Sequence, residues 1–270
     1  MSKNGTVTAL VLAASRRGAE DAVAKLQGVS HKCLISLDGK VMLERVVETL
    51  IAAQSVGRIF VSIESRELLE SVPQLKAWLD EGRIAFVPSA DNLFASVTTG
   101  VAVISNPYPL VITTGDNPLH TPDMIDHFCA ELARDPADVG VAMTPAADIL
   151  AAYPEGKRAF HELKDGGWSS CNLYALNSVR ALGAAKVFEG GGQFGKRPER
   201  IRKAFGLSFM LLYRFRLATI HGLAKLLSHR WHATVKVVRM PYADAPIDVD
   251  NPGDVKLAEK ILTARRMAAE

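Results

Sequence analysis

Two segments of this sequence end apolar runs on residues that can handle phosphate and metal. Pro109 to Thr114 is apolar and β-branched, and it stops at Gly115-Asp116-Asn117-Pro118-Leu119. A carboxylate at the end of a buried strand is a natural ligand for Mg²⁺, which takes one or two carboxylates and completes its shell with phosphate oxygens. The same carboxylate also suits a turn or a helix cap, and position alone does not separate the two. Thr6 to Ala14 is a second such run, followed by Ser15-Arg16-Arg17-Gly18. After Leu12, the small residues Ala13, Ala14, Ser15 and Gly18 let backbone N–H groups approach and cradle a phosphate. Arg16 and Arg17 add charge and bidentate donors. A surface loop carrying two arginines is the plain alternative.

The surrounding elements must hold these two strand ends together. Thr6 to Ala14 reads as a strand buried on both faces, as in a parallel sheet. A polar stretch with room for one helical turn follows, from Ser15 to Lys32, then a short extended piece and an Asp38-Gly39 turn. Leu43, Val46, Val47, Leu50 and Ile51 share one face of a helix over Met42 to Ala53. Arg58 to Glu64, Ile84 to Val87 and Val139 to Thr144 read as further strands. Arg66 to Asp80, broken at Pro73, and Leu93 to Ile104 read as helices. Thr121 opens another, with Pro122 at its first turn and Asp123 close behind. This alternation predicts an α/β doubly wound, mostly parallel sheet. In such sheets ligands bind at the carboxyl ends of the strands. Beyond that point, Arg158 to Leu163 and Ser169 to Leu176 read as strands around Asp165-Gly166-Gly167. Pro198 to Trp231 reads as helical, Val235 to Met240 as a strand and Asp254 to Ala269 as a closing helix.

Composition narrows the classes. Of 270 residues, 48% are hydrophobic and 23% charged, so a core is affordable, and the net charge of +3 suits an anionic ligand without requiring nucleic acid. The three cysteines, Cys33, Cys129 and Cys171, are far apart, which argues against a disulfide framework or a cysteine zinc site and for a reducing compartment. No run reaches the roughly 18 apolar residues of a membrane span, and the N-terminus lacks a signal-peptide pattern. We therefore expect a cytoplasmic protein, one catalytic domain over residues 1–270 with a basic helical insertion at about 190–232.

The motifs in order carry a resemblance. Leu12-Ala13-Ala14 through Arg17-Gly18, then Lys32, then Asp38-Gly39-Lys40-Val41-Met42-Leu43-Glu44-Arg45 resembles the opening of the nucleotidyltransferases related to molybdenum-cofactor guanylyltransferase. Asp116-Asn117-Pro118-Leu119 is similar to that family's metal motif. Asn92-Leu93 with Ser96 and Gly100 resembles its segment between base pocket and helix, and Ile247 to Asp254 its C-terminal turn. The resemblance implies a three-layer nucleotide-diphospho-sugar transferase fold. It implies that the Ala13 to Gly18 backbone wraps NTP phosphates and that Asn92 and Ser96 belong to the nucleotide site. Arg17 would contact the β- and γ-phosphates and Lys32 would neutralise charge near the α-phosphate. Asp116 would hold Mg²⁺, with Asp248 or Asp250 as a second ligand. The implied reaction moves an NMP from an NTP, CTP or GTP, to a phosphorylated small-molecule or lipid-linked acceptor and releases pyrophosphate. Ser15 stands where the family has Gly, Val41 where it has Pro, and the stretch between Gly18 and Lys32 is long, marks of an outlying branch.

On the acceptor side, Arg158, Asp165-Gly166-Gly167-Trp168 and Cys171-Asn172 look like the family's hairpin. Asn172 would then bond the acceptor and Arg158 its phosphate; a purely structural hairpin is the alternative, and Cys171 reads as a packing residue. His31 lies beside Lys32 within reach of a phosphate. His120 follows the Asp116 stretch and reads as a surface residue, or else as one approaching the metal. Lys196 to Arg230 carries nine Lys and Arg against Glu199 alone, interleaved with apolar residues. It reads as a solvated basic face, or as an interfacial helix touching anionic lipid at the inner face of the membrane. Nucleic-acid binding fits poorly. Two rival readings keep the same fold: a glycosyltransferase using a nucleotide sugar, whose usual DxD pair is Asp116-Asn117-Pro118 here, and a non-catalytic nucleotide sensor.

Overall fold

A computed structural model describes residues 6–15, 17–154, 160–185 and 205–269. Ten strands are described: β1 (Val7–Leu12), β2 (Ser36–Leu37), β3 (Lys40–Val41), β4 (Val56–Ile63), β5 (Ala85–Pro88), β6 (Leu110–Thr114), β7 (Val139–Pro145), β8 (His161–Leu163), β9 (Gly166–Leu176) and β10 (Val235–Arg239). The main sheet runs β10-β7-β9-β6-β1-β4-β5, with β8 hydrogen-bonded to β9 and β2 and β3 forming a separate ribbon. All pairs on this path are parallel except those of β9, which runs antiparallel to both β6 and β7. Burial on both faces explains the near-continuous apolar runs of β1 and β6. The alternating α/β reading holds, with one addition. The strand expected to begin at Ser169 begins at Gly166 and reverses direction in the middle of the sheet.

Side-chain parity divides the core into two layers. Ala9, Val11, Val111, Cys171, Leu173 and Ala175 point to one face. There they meet α2 (Met42–Ala52), α3 (Arg66–Glu70), α4 (Pro73–Asp80) and α6 (Pro122–Arg134), whose Val46, Leu50, Leu69, Leu75 and Phe128 join the same cluster. Pro73 separates α3 from α4, because its missing N–H and fixed φ suit a first turn and not an interior one. Thr121 caps α6 by accepting from Met124 N–H. Leu10, Leu110, Ile112 and Leu176 point to the opposite face, covered by α5 (Leu93–Val103). That face is also covered by two helices, Leu207–Arg214 and Ile220–Trp231. These two lie in the stretch from Pro198 to Trp231 that was expected to be helical. The chain breaks between them, and Thr219 caps the second by accepting from Gly222 N–H. Helix Ala146–Ala152 went unpredicted: its alanines give it no apolar periodicity of its own.

One close approach sets the geometry of the carboxyl edge. A Cβ on Gly115 would lie 3.0 Å from the Cβ of Ala13 and 3.2 Å from its Cα. A side chain at this position would press on Ala13 and Leu43; glycine lets the end of β6 lie directly against the end of β1, where Gly115 N–H donates to Leu12 O at 2.9 Å.

Phe128 is fully buried where α6 meets the sheet. Phe128→Ala leaves a large cavity there and is expected to lower unfolding free energy by about 3–5 kcal/mol. Urea denaturation followed by far-UV circular dichroism measures it; a loss under about 1 kcal/mol would contradict this packing.

Candidate active site

The carboxyl edge gathers the ends of β1, β4 and β6, which the parallel register aligns: Leu12 pairs with Ser62 on one side and Thr114 on the other. The antiparallel β9 brings a different part of the chain to the same edge. Thr113 pairs with Leu173, so Asn172 arrives beside the residues that follow β6. Asn172 has φ 49°, in the left-handed region that asparagine tolerates better than most residues. Its Nδ2 donates to Asp248 Oδ2 at 3.0 Å and to Asn117 Oδ1 at 3.2 Å.

Lys32 is the centre of the cluster. A short 3₁₀ turn, Lys32–Leu34, presents it, and buried Cys33 pins that turn by donating Sγ–H to Ala13 O at 3.4 Å. The Lys32 ammonium donates to Asp116 Oδ2 at 2.6 Å and to Asp250 Oδ1 at 2.7 Å. Burial acts to lower its pKa, but the charges of Asp116 and Asp250 outweigh burial and hold it above the ordinary lysine value. Lys32 therefore keeps its proton throughout the neutral range. The single Thr114 hydroxyl proton is shared between Asp116 Oδ1 and Asn117 Oδ1, the latter at 2.6 Å from Oγ1, which ties both side chains to the strand end. The Asp248–Asp250 segment is anchored to the strand end by Val249 N–H donating to Asp116 O at 2.9 Å. Behind it, Arg265 of helix Pro252–Ala269 donates twice to Leu119 O, each at 2.9 Å. Buried Asn117 keeps one amide donor, Nδ2, without a partner.

Of the residues expected to share a site, the structure therefore links Lys32, Asp116, Asp248, Asp250 and Asn172 into one bonded network. The loop after β1 adjoins it. Ser15 N–H donates to Glu64 Oε1 at 2.7 Å, and Gly18 N–H donates to Ser15 Oγ at 3.0 Å. Glu64 Oε2 also lies 3.2 Å from His31 Nε2. An N–H of the expected phosphate loop thus already binds an anionic group. Glu64 escaped the sequence reading, although an acid directly after a buried strand was the available signal. Ala14 and Arg17 are exposed on this loop, at the start of the turn Gly18–Glu20. Asn92 caps α5 by accepting from Ala95 N–H at 2.9 Å, and buried Ser96 Oγ accepts from Ala90 N–H at 2.9 Å. Both side chains shape the loop before α5. Arg158 lies outside the described residues, as do Arg16 and residues 196–204 of the basic stretch.

His120 corrects an expectation. It is 5% exposed, so it is not a surface residue. Its Nε2–H is shared between Cys171 O and Ala245 O, both at 3.0 Å, while Nδ1 is buried without a partner. Burial pushes its pKa below the ordinary histidine value. A cation there would have to shed its water, whereas the neutral ring cross-links β9 to the segment before Asp248.

The profile of the MobA-like NTP transferase domain matches residues 9–191. The chain belongs to this family. The match spans β1 with its loop, Lys32, Asp116 and Asn172, and places the chain among the nucleotidyltransferases. In overall structure it is similar to a hypothetical transferase from Thermus thermophilus, at 21% identity and TM-score 0.73, over 93% of this chain and 99% of that one. It is also similar to 4-diphosphocytidyl-2C-methyl-D-erythritol synthase from Anaerococcus prevotii, at 13% identity and TM-score 0.57, over 97% and 100% of the two chains. CMP:2-keto-3-deoxy-manno-octonic acid synthetase complexed with CTP matches at 12% identity and TM-score 0.57, over 96% and 100%. These likenesses show that the chain shares its fold with the three proteins. Among curated proteins, none matches the chain in sequence. No helix among the described residues is long and apolar enough to cross a membrane.

The depressed pKa of His120 makes stability depend on pH. The unfolded chain takes up this proton near pH 6.5, the folded chain only at lower pH, so stability is complete above 6.5 and lost as pH falls below it. The expected slope from this residue is at most about 1.4 kcal/mol per pH unit. Urea midpoints of the wild type and His120→Gln between pH 5 and 8 test this. The variant should show a smaller loss on acidification; an unchanged slope would remove His120 from the account.

Proposed function

We propose that this chain moves an NMP from an NTP, CTP or GTP, to a phosphorylated acceptor and releases pyrophosphate. The observation that carries the proposal is the Lys32 ammonium held between Asp116 and Asp250 beside the loop after β1. Two carboxylates converging on one cation form the kind of donor set that Mg²⁺ uses together with phosphate oxygens. Among the described residues no three His, Cys, Asp or Glu side chains form a complete metal cage, and Mg²⁺ seldom uses one. We assign Mg²⁺ to Asp116, with Asp250 as the second ligand, because Lys32 already draws these two carboxylates together; with metal and nucleotide bound, Lys32 would give them up and turn to the phosphates. When bound, Mg²⁺ draws negative charge off the phosphates.

The remaining work falls to the chain. Backbone N–H groups of the loop after Ala13, whose own N–H is bonded to Ser62 O, hold the triphosphate, which displaces Glu64 from Ser15 N–H. Arg17 reaches the outer phosphates. Lys32, protonated throughout the neutral range, neutralises charge at the α-phosphate. An acceptor phosphate is already ionised, so it attacks the α-phosphorus directly, the bond to the bridging oxygen breaks, and pyrophosphate leaves with that electron pair. Positioning and charge neutralisation supply the catalysis. In this reading Asn172 hydrogen-bonds the acceptor and Arg158 binds its phosphate. Asn92 and Ser96 shape the nucleoside pocket through the loop they hold. We read residues 1–270 as one such unit acting in the cytoplasm.

A pyrophosphate-release screen with Mg²⁺, each NTP and a panel of phosphorylated acceptors tests the proposal. One NTP–acceptor pair should release pyrophosphate, and Asp116→Ala should slow it on the order of a hundredfold or more. Binding of a nucleotide sugar with no response to any NTP would favour the glycosyltransferase instead.

One observation favours a membrane-bound acceptor over a free one. Leu207, Leu211, Phe215 and Leu217 are 56%, 44%, 62% and 62% exposed, next to exposed Arg214 and Arg216. Apolar side chains flanked by arginines suit the boundary of an anionic bilayer. The protein should co-sediment with phosphatidylglycerol-containing vesicles at physiological salt, and Leu211→Glu with Phe215→Glu should lower the bound fraction severalfold. Equal sedimentation of variant and wild type would count against it.

A further inference from the structure

Among the described residues, the face of the sheet opposite α2 and α6 is not closed by packing. A cavity of about 340 Å³ runs between β6, β7, β9 and β10 and the helices Leu207–Arg214 and Ile220–Trp231. At one end it is lined by Leu12, Thr114 and Asn172, the edge where Asp116 and Lys32 lie; at the other by Val139, Leu176 and Trp231. Along β7 alone the lining extends from Val139 to Met143, roughly 13 Å at 3.3 Å per residue. The cavity is thus long, and one end opens on the proposed reaction centre.

Its walls are apolar in effect as well as in composition. The few polar side chains that line it are already bonded to neighbours. His161 Nδ1 and Tyr213 Oη are 2.9 Å apart, and Ser170 Oγ and Tyr174 Oη are 3.0 Å apart. Thr114 shares its hydroxyl proton between Asp116 and Asn117, and Asn172 donates to Asn117 and Asp248. Water held in a cavity needs two to four polar partners, and these walls offer few. The polar groups that remain gather at the Asp116 end. An occupant that satisfies both ends has a long apolar part and an anionic head.

We propose that the acceptor is a phosphate monoester of a single long apolar chain, alkyl or isoprenoid, with its chain in this cavity and its phosphate beside Thr114, Asn172 and Lys32. This rests on the nucleotidyl-transfer reading and names the acceptor class. At roughly 30 Å³ per methylene, close to the volume a water takes in the liquid, about a dozen methylenes fill 340 Å³. The helix Leu207–Arg214 gives Phe209 and Tyr213 to the cavity while Leu207 and Leu211 face outward. The cavity wall is thus also the apolar outer surface that a chain leaving a bilayer would meet.

The test uses the full-length protein and dodecyl phosphate below its micellar concentration, compared with octyl and ethyl phosphate, in titration calorimetry without nucleotide. Each buried methylene is expected to raise affinity about fourfold, so dodecyl phosphate should bind at least a hundredfold more tightly than octyl phosphate. Leu227→Trp, which fills the cavity from helix Ile220–Trp231, should lower dodecyl phosphate affinity tenfold or more, with the urea midpoint and NTP binding unchanged. Equal binding of the three phosphates, or equal dodecyl phosphate binding by wild type and variant, overturns the proposal. Pyrophosphate release is read in parallel. Chain-length-dependent binding without release for any NTP would leave the cavity assignment standing and sink the transfer reading. Release with short polar phosphates alone would do the reverse.

Discussion

An ammonium group shared by two carboxylates organises this molecule's edge. Lys32 reaches Asp116, 84 residues away, and Asp250, 218 residues away. Its burial would be costly if both partners were absent, because an uncompensated charge would then be left out of water. The contact therefore forces three distant segments to meet: the 3₁₀ turn after the loop, the end of β6 and the crossing that leads into the last helix. Cys33 behind the turn, Thr114 beside Asp116 and Arg265 behind Leu119 all hold one of those segments in place. Each supports the carboxylates or the lysine, and none of them is an ionised group at the centre.

The two faces of the sheet carry different burdens. The face under α2, α3, α4 and α6 is filled by large aliphatic and aromatic side chains and supplies cohesion. The other face is filled near α5 but stands open farther along, where β7, β9 and β10 meet the two helices near residue 220. A single antiparallel strand links these two conditions. β9 contributes Cys171, Leu173 and Ala175 to the filled side and Ser170, Asn172 and Tyr174 to the open one. Its reversed direction is also what delivers Asn172 to the carboxyl edge of an otherwise parallel sheet.

His120 shows how burial changes a residue's meaning. Its neighbourhood in sequence pointed to surface or metal. Its neighbourhood in space is two carbonyls, one on β9 and one on the segment before Asp248, and a dry pocket that keeps the ring neutral. Glu64 is the converse. It looked like the last residue of a strand, yet its carboxylate meets a backbone N–H of the loop after β1.

Much of the fold was legible in the chain. Doubly buried strands read as continuous apolar runs, and α2, α5 and α6 showed themselves through periodicity, Pro122 and the Thr121 cap. The Asp116, Lys32 and loop motifs were visible as residue types at strand ends. Short and alanine-rich Ala146–Ala152 was not, because a helix that owes its stability to its neighbours leaves no local signature. Sequence by itself determined which residues could bear charge and where strands must stop, since those follow from local chemistry and spacing. Only the tertiary structure decided that Asp250 joins Asp116 on Lys32 while Asp248 goes to Asn172, that His120 is buried, and that one face of the sheet holds an open apolar cavity. These depend on contacts between segments far apart in the chain, and on volumes left between them, which no local pattern encodes.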